Sequence, residues 1–181
     1  MKLVFDLEAN GLYDDKINKD GSVSKAADTI WCIVAKDIET GKVMQFTREI
    51  RGFSTETGID RGLRVLAHAE ELIGHNIIDY DLRLIKKLYP SFCPNGKILD
   101  TMILSQLLNP DRVNGHSLGQ YGKELGHPKP EHEDWSQFSP EMLHRCTEDV
   151  EINHKVYDYL MKEAYEDVEG IPYNEVFANS L

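Results

Sequence analysis

The chain opens on an apolar run that is broken at alternate positions by carboxylates, Lys2-Leu-Val-Phe-Asp6-Leu-Glu8-Ala9. In a strand, successive side chains point to opposite faces. Asp6 and Glu8 then share one face while Phe5 and Leu7 occupy the other. Residues 2–8 read as a buried strand that ends in two acids. A second β-rich run, TIWCIVAK, covers 29–36. Glu39-Thr-Gly-Lys42 is a turn, and 43–47 returns as a third strand. A strand, a long loop and a hairpin predict three antiparallel strands.

Helical spacing then takes over. Leu63, Leu66 and Ala67 mark a helix over 59–70, followed by a short strand at 71–74 that ends at His75-Asn76. An amphipathic helix over 82–89 stops at Pro90. Asp100 and Thr101 have the chemistry of an N-cap for a helix over 102–108. Ser117 caps a helix that runs to about residue 125 and closes at Gly126. Ser139-Pro140-Glu141 is a helix start, and that last helix extends to about residue 166. Antiparallel strands followed by strands alternating with helices predict an α/β domain, a mixed sheet with helices packed on it. No repeat or composition break divides the chain. One domain is expected over 1–166, with residues 167–181 as a loosely ordered surface tail.

Composition narrows the function. The 181 residues suit one core, and 41% are hydrophobic, an ordinary globular value. No apolar run is long enough to span a bilayer, and Asp6 and Glu8 interrupt any signal-peptide pattern. The three cysteines, Cys32, Cys93 and Cys146, form no C-x-x-C pair. A reducing, cytoplasmic setting without a zinc ribbon is expected. Lys and Arg total 20 against 31 Asp and Glu, a net charge of -11. That balance argues against coating nucleic acid by bulk electrostatics. It permits an enzyme that holds a nucleic-acid end through metal ions, with weak, salt-sensitive and poorly processive binding.

Two neighbouring carboxylates repel and raise each other's pKa, and a divalent cation between them removes that cost. Asp6 and Glu8 are therefore candidate metal ligands. Asp81, after the strand ending in His75-Asn76, and Asp149, in the last helix, are the other two candidates. Taken singly, acids on helices are mostly solvated charges. Four acids without a Cys/His cluster suit Mg²⁺ or Mn²⁺ better than Zn²⁺.

Five blocks occur in order: D-L-E at 6–8, H-N-x-x-x-Y-D at 75–81, D-T-x-x-L-S at 100–105, G-H-S-L-x-x-x-G at 115–122 and S-P-E-M-L-x-x-C-x-x-D-V at 139–150. In this order they resemble the 3′–5′ exonuclease domain of family-A DNA polymerases from short-tailed phages. That domain belongs to the DEDD, or DnaQ-like, superfamily. The resemblance covers roughly residues 1–160. It implies a ribonuclease-H-like fold and two divalent cations, Mg²⁺ or Mn²⁺, held by Asp6, Glu8, Asp81 and Asp149. Asp6 would bridge the ions, Glu8 and Asp149 would serve the one holding the attacking water, and Asp81 the other. Two metals about 3.5–4 Å apart clamp the attacking and leaving oxygens of a phosphodiester.

The chain departs from the phage pattern at the general base. The family places Tyr four residues, or His five, before the last Asp. Here Arg145 fills the Tyr slot and His144 fits the His spacing. Histidine suits the role because its pKa of about 6.5 lies near working pH, whereas arginine stays protonated. On a regular helix, residues five apart differ by about 140° and residues four apart by about 40°. His144 would reach the metals only if the helix began late or carried a π-bulge. His144 is the favoured base. The alternative places Arg145 on the metal face as a phosphate or carboxylate partner.

Asn10, Asn76 and His116 are further candidates for touching substrate or supporting the ligands. His75 and Asn76 suit a loop-holding role, His116 a helix start, and Asp100 a cap near the metal site. Residues 14–24 resemble part of a calcium loop. Aligning Gly21 with the required glycine, however, puts Lys16 and Ala27 at ligand positions, so a mobile loop near the active site is expected. Trp31, Tyr121 and Trp135 read as core or flank rather than base-stacking platforms.

The expected function is removal of mononucleotides from a single-stranded or frayed DNA 3′ end. The enzyme would be a stand-alone proofreading nuclease or a polymerase fragment, with a DNA polymerase as potential partner and a bacterial host cytoplasm as its setting if phage-encoded. One rival is an RNA-trimming or oligoribonuclease-type enzyme on the same scaffold. A rival of another class is a non-catalytic nucleic-acid or polymerase interaction module that has lost its base.

Overall fold

The computed structural model describes residues 1–49 and 57–166. The expected tail over 167–181 lies outside the described residues. Strand β1 (Lys2–Ala9) is the middle of a five-stranded sheet. Its antiparallel neighbour is β4 (Ile30–Asp37), which pairs in turn with β5 (Val43–Thr47). On the other side β1 pairs in parallel with β6 (Glu71–Gly74), and β6 with β7 (Lys97–Asp100). The order β5-β4-β1-β6-β7 is the mixed sheet expected from the pattern. Strand β7 had no alternating signal of its own, and only its last residue is buried.

Between β1 and β4, residues 14–24 are not an unstructured loop. They form a small hairpin of β2 (Lys16–Ile17) and β3 (Val23–Ser24). Asn18 donates through its side-chain amide to the hydroxyls of Ser22 and Ser24, at 2.8 and 3.0 Å. These local hydrogen bonds supply the order that the polar sequence concealed.

Period two along β1 sends side chains into two separate cores. Leu3, Phe5 and Leu7 pack with α1 (Gly58–Ala67) and α2 (Asp81–Leu88) through Ile59, Leu66 and Leu84. Val4 points the other way, into a cluster with Cys32, Val34 and Ile73 that is covered by Cys146 and Val150 of α5 (Pro140–Glu166). Each such fully buried aliphatic side chain contributes roughly 1.5–3 kcal/mol relative to exposure. Further along α5, Ile152, Val156 and Leu160 pack on α4 (Leu118–Glu124), with Leu104 and Leu108 of α3 (Thr101–Leu108) against them.

The caps fall where the chain's own chemistry places them. Asp100 accepts from the backbone of Met102 and Ile103 at the start of α3. Ser117 accepts from Gln120 N at the start of α4, and Ser139 from Met142 N at the start of α5. Helix α1 adds a capping box between Thr57 and Asp60.

Candidate active site

Asp6 and Glu8 lie on the same face of β1 as Val4, beneath α5, as the alternation requires. A register irregularity separates Glu8 from Ala9, so the pairing with β4 changes just after the second acid.

Asp81 is the first residue of α2. A tight turn after β6 delivers it. A Cβ at Gly74 would meet Ile77 Cγ2 at 2.0 Å, so only glycine fits there. Asn76 takes a left-handed conformation, φ 65°, which asparagine tolerates better than most residues. Asp100 secures the turn by accepting from the backbone N–H groups of Asn76 at 2.9 Å and Ile78 at 3.0 Å. One carboxylate thus caps α3 and holds the segment that aims Asp81. His75 joins this support, its Nδ1 3.0 Å from Thr101 Oγ1.

Asp149 comes from α5, which is α-helical without interruption from Pro140. Asp6, Glu8 and Cys146 each offer one ligand atom, and these atoms lie within 4.8 Å of one another. The Cys146 thiol approaches Asp6 Oδ2 at 3.6 Å. Asp81 and Asp149 are only 3% and 2% exposed, yet Oδ1 of each is buried with no hydrogen-bond partner. Buried carboxylate oxygens are costly when unmatched. Hard divalent cations take such oxygens as ligands, so the donor set fits Mg²⁺ or Mn²⁺.

Electrostatics agree. Burial, and then the charge of Asp149, pushes Asp6 up to about 7. Burial and the charge of Asp6 push Glu8 up to about 9. Burial, followed by Asp6, also raises Asp81, against backbone hydrogen bonds at Asp81 and Leu7. Burial raises Asp149 as well, and Lys129 opposes that rise. Burial and mutual repulsion together make these four acids resist ionisation, a cost that a divalent cation would relieve.

Positive groups reach one side of the cluster. Lys129 Nζ lies 2.5 Å from Asp149 Oδ2. Arg145 Nε is 3.5 Å from Glu8 Oε1 and 4.0 Å from Asp149 Oδ2. These last two are Coulombic contacts rather than hydrogen bonds. Arg145 donates from its guanidinium to the Pro130 carbonyl, and the guanidinium lies 5.2 Å over the Trp135 ring. The Trp135 carbonyl in turn accepts from Trp31 Nε1 at 3.0 Å.

The structure thus brings together Asp6, Glu8, Asp149 and Arg145, with Asp81 within electrostatic reach of Asp6. His144 is not brought there. Its side chain is 66% exposed, and its Nδ1 faces Glu148 Oε1 at 3.9 Å. The helix is regular from its first turn, so the angular argument prevails and Arg145 takes the inner face. His116 Nδ1 bonds Ser105 Oγ at 2.7 Å, beside α4. Asn76 serves through its backbone. Asn10 ties the end of β1 to the start of β4: its side chain donates to Asp28 and accepts from the backbone of Asp28 and Thr29.

Sequence reasoning missed Lys129. It lies in a polar loop between Pro128 and Pro130, where no periodicity marks which way a side chain points. Trp135, which read as core or flank, contributes to a cleft of about 570 Å³ that begins at Glu8 and is bordered by Asn10, Lys25 and Tyr80.

No protein-family model matches the chain, and no curated protein sequence matches it. Solved structures do. NrnC from Brucella melitensis with bound Mg²⁺ superposes with a TM-score of 0.63 and 17% identity, over 93% of this chain and 76% of that one. The same protein bound to pGG gives 0.62 and 17%, over 92% and 74%. Exonuclease I from E. coli in complex with a dT13 oligonucleotide gives 0.52 and 12%, over 93% of this chain but 42% of that one. At these identities the likeness is one of fold. The five-stranded mixed sheet with helices packed on it is a ribonuclease-H-like fold.

Proposed function

We propose that the chain is a metal-dependent 3′–5′ exonuclease that hydrolyses the terminal phosphodiester of a single-stranded or frayed DNA end. The observation that carries this is a cluster of four acids around the central strand, with Glu8, Asp81 and Asp149 buried and the last two holding unmatched oxygens. Asp6, Glu8, Asp81 and Asp149 would hold two divalent cations, Mg²⁺ or Mn²⁺. A bound pair supplies an activated water and relieves charge on the leaving oxygen. The chain's own residues do the rest. The four acids would hold the ions. The cleft beside Glu8 is large enough to hold one unpaired nucleotide, with Trp135 and Tyr80 as its aromatic sides. Arg145 is a cation beside Glu8 and Asp149, suited to a phosphate oxygen.

The choice of DNA, a proofreading role and a polymerase partner rest on the resemblance to phage polymerase domains. A second reading, trimming of RNA or other short oligonucleotides, is supported by likeness in fold to a protein whose structure holds pGG. The test is a 5′-labelled oligonucleotide incubated with Mg²⁺, with Mn²⁺ and with chelator. A ladder that shortens from the 3′ end only with metal is expected, and faster on DNA than on RNA. No cleavage under either metal would sink the nuclease reading, and faster cleavage of RNA would replace the substrate class.

A further inference from the structure

Lys129 is bound to the acidic cluster more closely than any other cation among the described residues, and the fold goes to some length to put it there. Helix α4 ends with Gly126 at φ 68°, which turns the chain back. His127 is then held by two residues on one face of α5: its ring pairs with Glu148, and Lys155 Nζ lies 3.0 Å from its Nδ1. Pro128 and Pro130 flank Lys129, restricting the backbone before and after it. The Pro130 carbonyl is clamped by Arg145. The loop is therefore anchored on both sides of one flexible four-carbon arm. That arm ends 2.5 Å from Asp149, the acid proposed above to hold an ion, and the Lys129 side chain is still 27% exposed.

We infer that Lys129 is an internal counter-ion which competes with a divalent cation for Asp149, and which a substrate phosphate draws off. The inference rests on the nuclease reading of the site and adds an order of events to it. Lys129 holds Asp149 Oδ2, and a divalent cation on the unmatched Oδ1 of the same carboxylate would repel the ammonium strongly. An ion arriving at Asp149 therefore loosens the hold of that carboxylate on the ammonium. A displaced ammonium on a partly exposed arm gains most where an anion waits, and the phosphate of a nucleic-acid end bound at the acids is that anion. Metal and phosphate then bind cooperatively through a side chain that leaves the carboxylate for the phosphate. This favours full loading of the site when substrate is present, and it offsets the acidity of a chain with a net charge of -11.

The experiment is calorimetric titration of the full chain, stripped with chelator, using Mn²⁺ alone and then Mn²⁺ with a deoxynucleoside monophosphate. No turnover is involved. In the unaltered protein the monophosphate should tighten Mn²⁺ binding. Lys129→Met should bind Mn²⁺ alone tighter, on the order of tenfold, and should lose most of the help from the monophosphate. Lys129→Gln should behave the same way, and Lys129→Arg, which keeps the charge, should stay near the unaltered protein. A merely structural role for Lys129 would weaken metal binding on its removal, so the sign is decisive. Equal or weaker Mn²⁺ binding by both neutral variants would overturn the counter-ion while leaving the nuclease reading standing. No Mn²⁺ uptake by any of the proteins would overturn both.

Discussion

The acids at the two sides of the cluster make an instructive pair. Asp81 opens α2 and Asp149 lies inside α5, both are almost fully buried, and each has an oxygen without a partner. Among the described residues, Asp149 alone of the two has cations beside it, Lys129 and Arg145. Asp81 faces the charge of Asp6, eased by backbone hydrogen bonds at Asp81 and Leu7. Among the described residues, one side of the cluster is partly neutralised by the chain itself and the other is not. A site built for structure would be balanced on both sides. The imbalance is what a site that waits for ions requires.

Asp6 lies between the two sides, so its loss should have the largest effect. Asp6→Ala should reduce hydrolysis of a labelled oligonucleotide by about a thousandfold or more, because charge stabilisation worth several kcal/mol goes with it. Normal turnover by that variant would show that the cluster is not the reacting centre.

The comparison sharpens at the next residue pair. Arg145→Ala should cost about a hundredfold in turnover if its guanidinium meets a phosphate oxygen beside Glu8. His144→Ala should stay within about threefold, since an exposed ring facing Glu148 touches none of the acids. Steady-state rates of the two variants decide this. The reverse result would mean that α5 rearranges on binding and carries His144 inward.

Much of this arrangement is legible in the sequence. Alternation along 2–8 placed Asp6 and Glu8 on one face, and Ser139-Pro140 gave the start of α5, from which the angles to Asp149 follow. Those angles already favoured Arg145 over His144 on the inner face. Only the family's habit of using His or Tyr pointed the other way. Physical geometry was the better guide there because nothing in the helix breaks its period. Lys129 was not legible. Its direction is set by a turn at Gly126 and by clamps from Glu148 and Arg145, distant in order and visible only once folded. The hairpin over 16–24 escaped for a related reason: short-range polar hydrogen bonds, not a hydrophobic pattern, hold it.

Acidity gives a prediction for the cluster as a whole. Asp6 and Glu8 keep their protons to about 7 and 9, whereas in the unfolded chain they lose them near 4. Between those values the folded state binds more protons than the unfolded state, so stability falls as pH rises. In chelator, the melting temperature should drop by several degrees from about pH 5 to about pH 8. Mg²⁺ or Mn²⁺ should reverse the drop at pH 8 by binding the ionised acids, by about 2.7 kcal/mol at a hundredfold excess over the dissociation constant. Thermal melts with and without metal measure both. A melting temperature that does not change with pH would mean the acids are balanced in some other way.

The smallest effect bears most directly on the two sides. In chelator at pH 8, Asp81→Asn removes a buried acid whose ionisation no cation among the described residues eases, so it should stabilise the protein by about 1–2 kcal/mol. Asp149→Asn removes a charge that Lys129 and Arg145 partly offset, and it leaves Lys129 without its anion. It should be neutral or destabilising by a similar amount. Denaturant midpoints at constant slope measure the pair. With saturating Mg²⁺ both variants should fall below the unaltered protein, because each has lost a ligand and with it part of the stabilisation the ions confer. The sign change for Asp81→Asn between chelator and Mg²⁺ is the discriminating result. A structural acid would be destabilising to remove under both conditions, and only an acid kept for an ion becomes a burden when the ion is taken away.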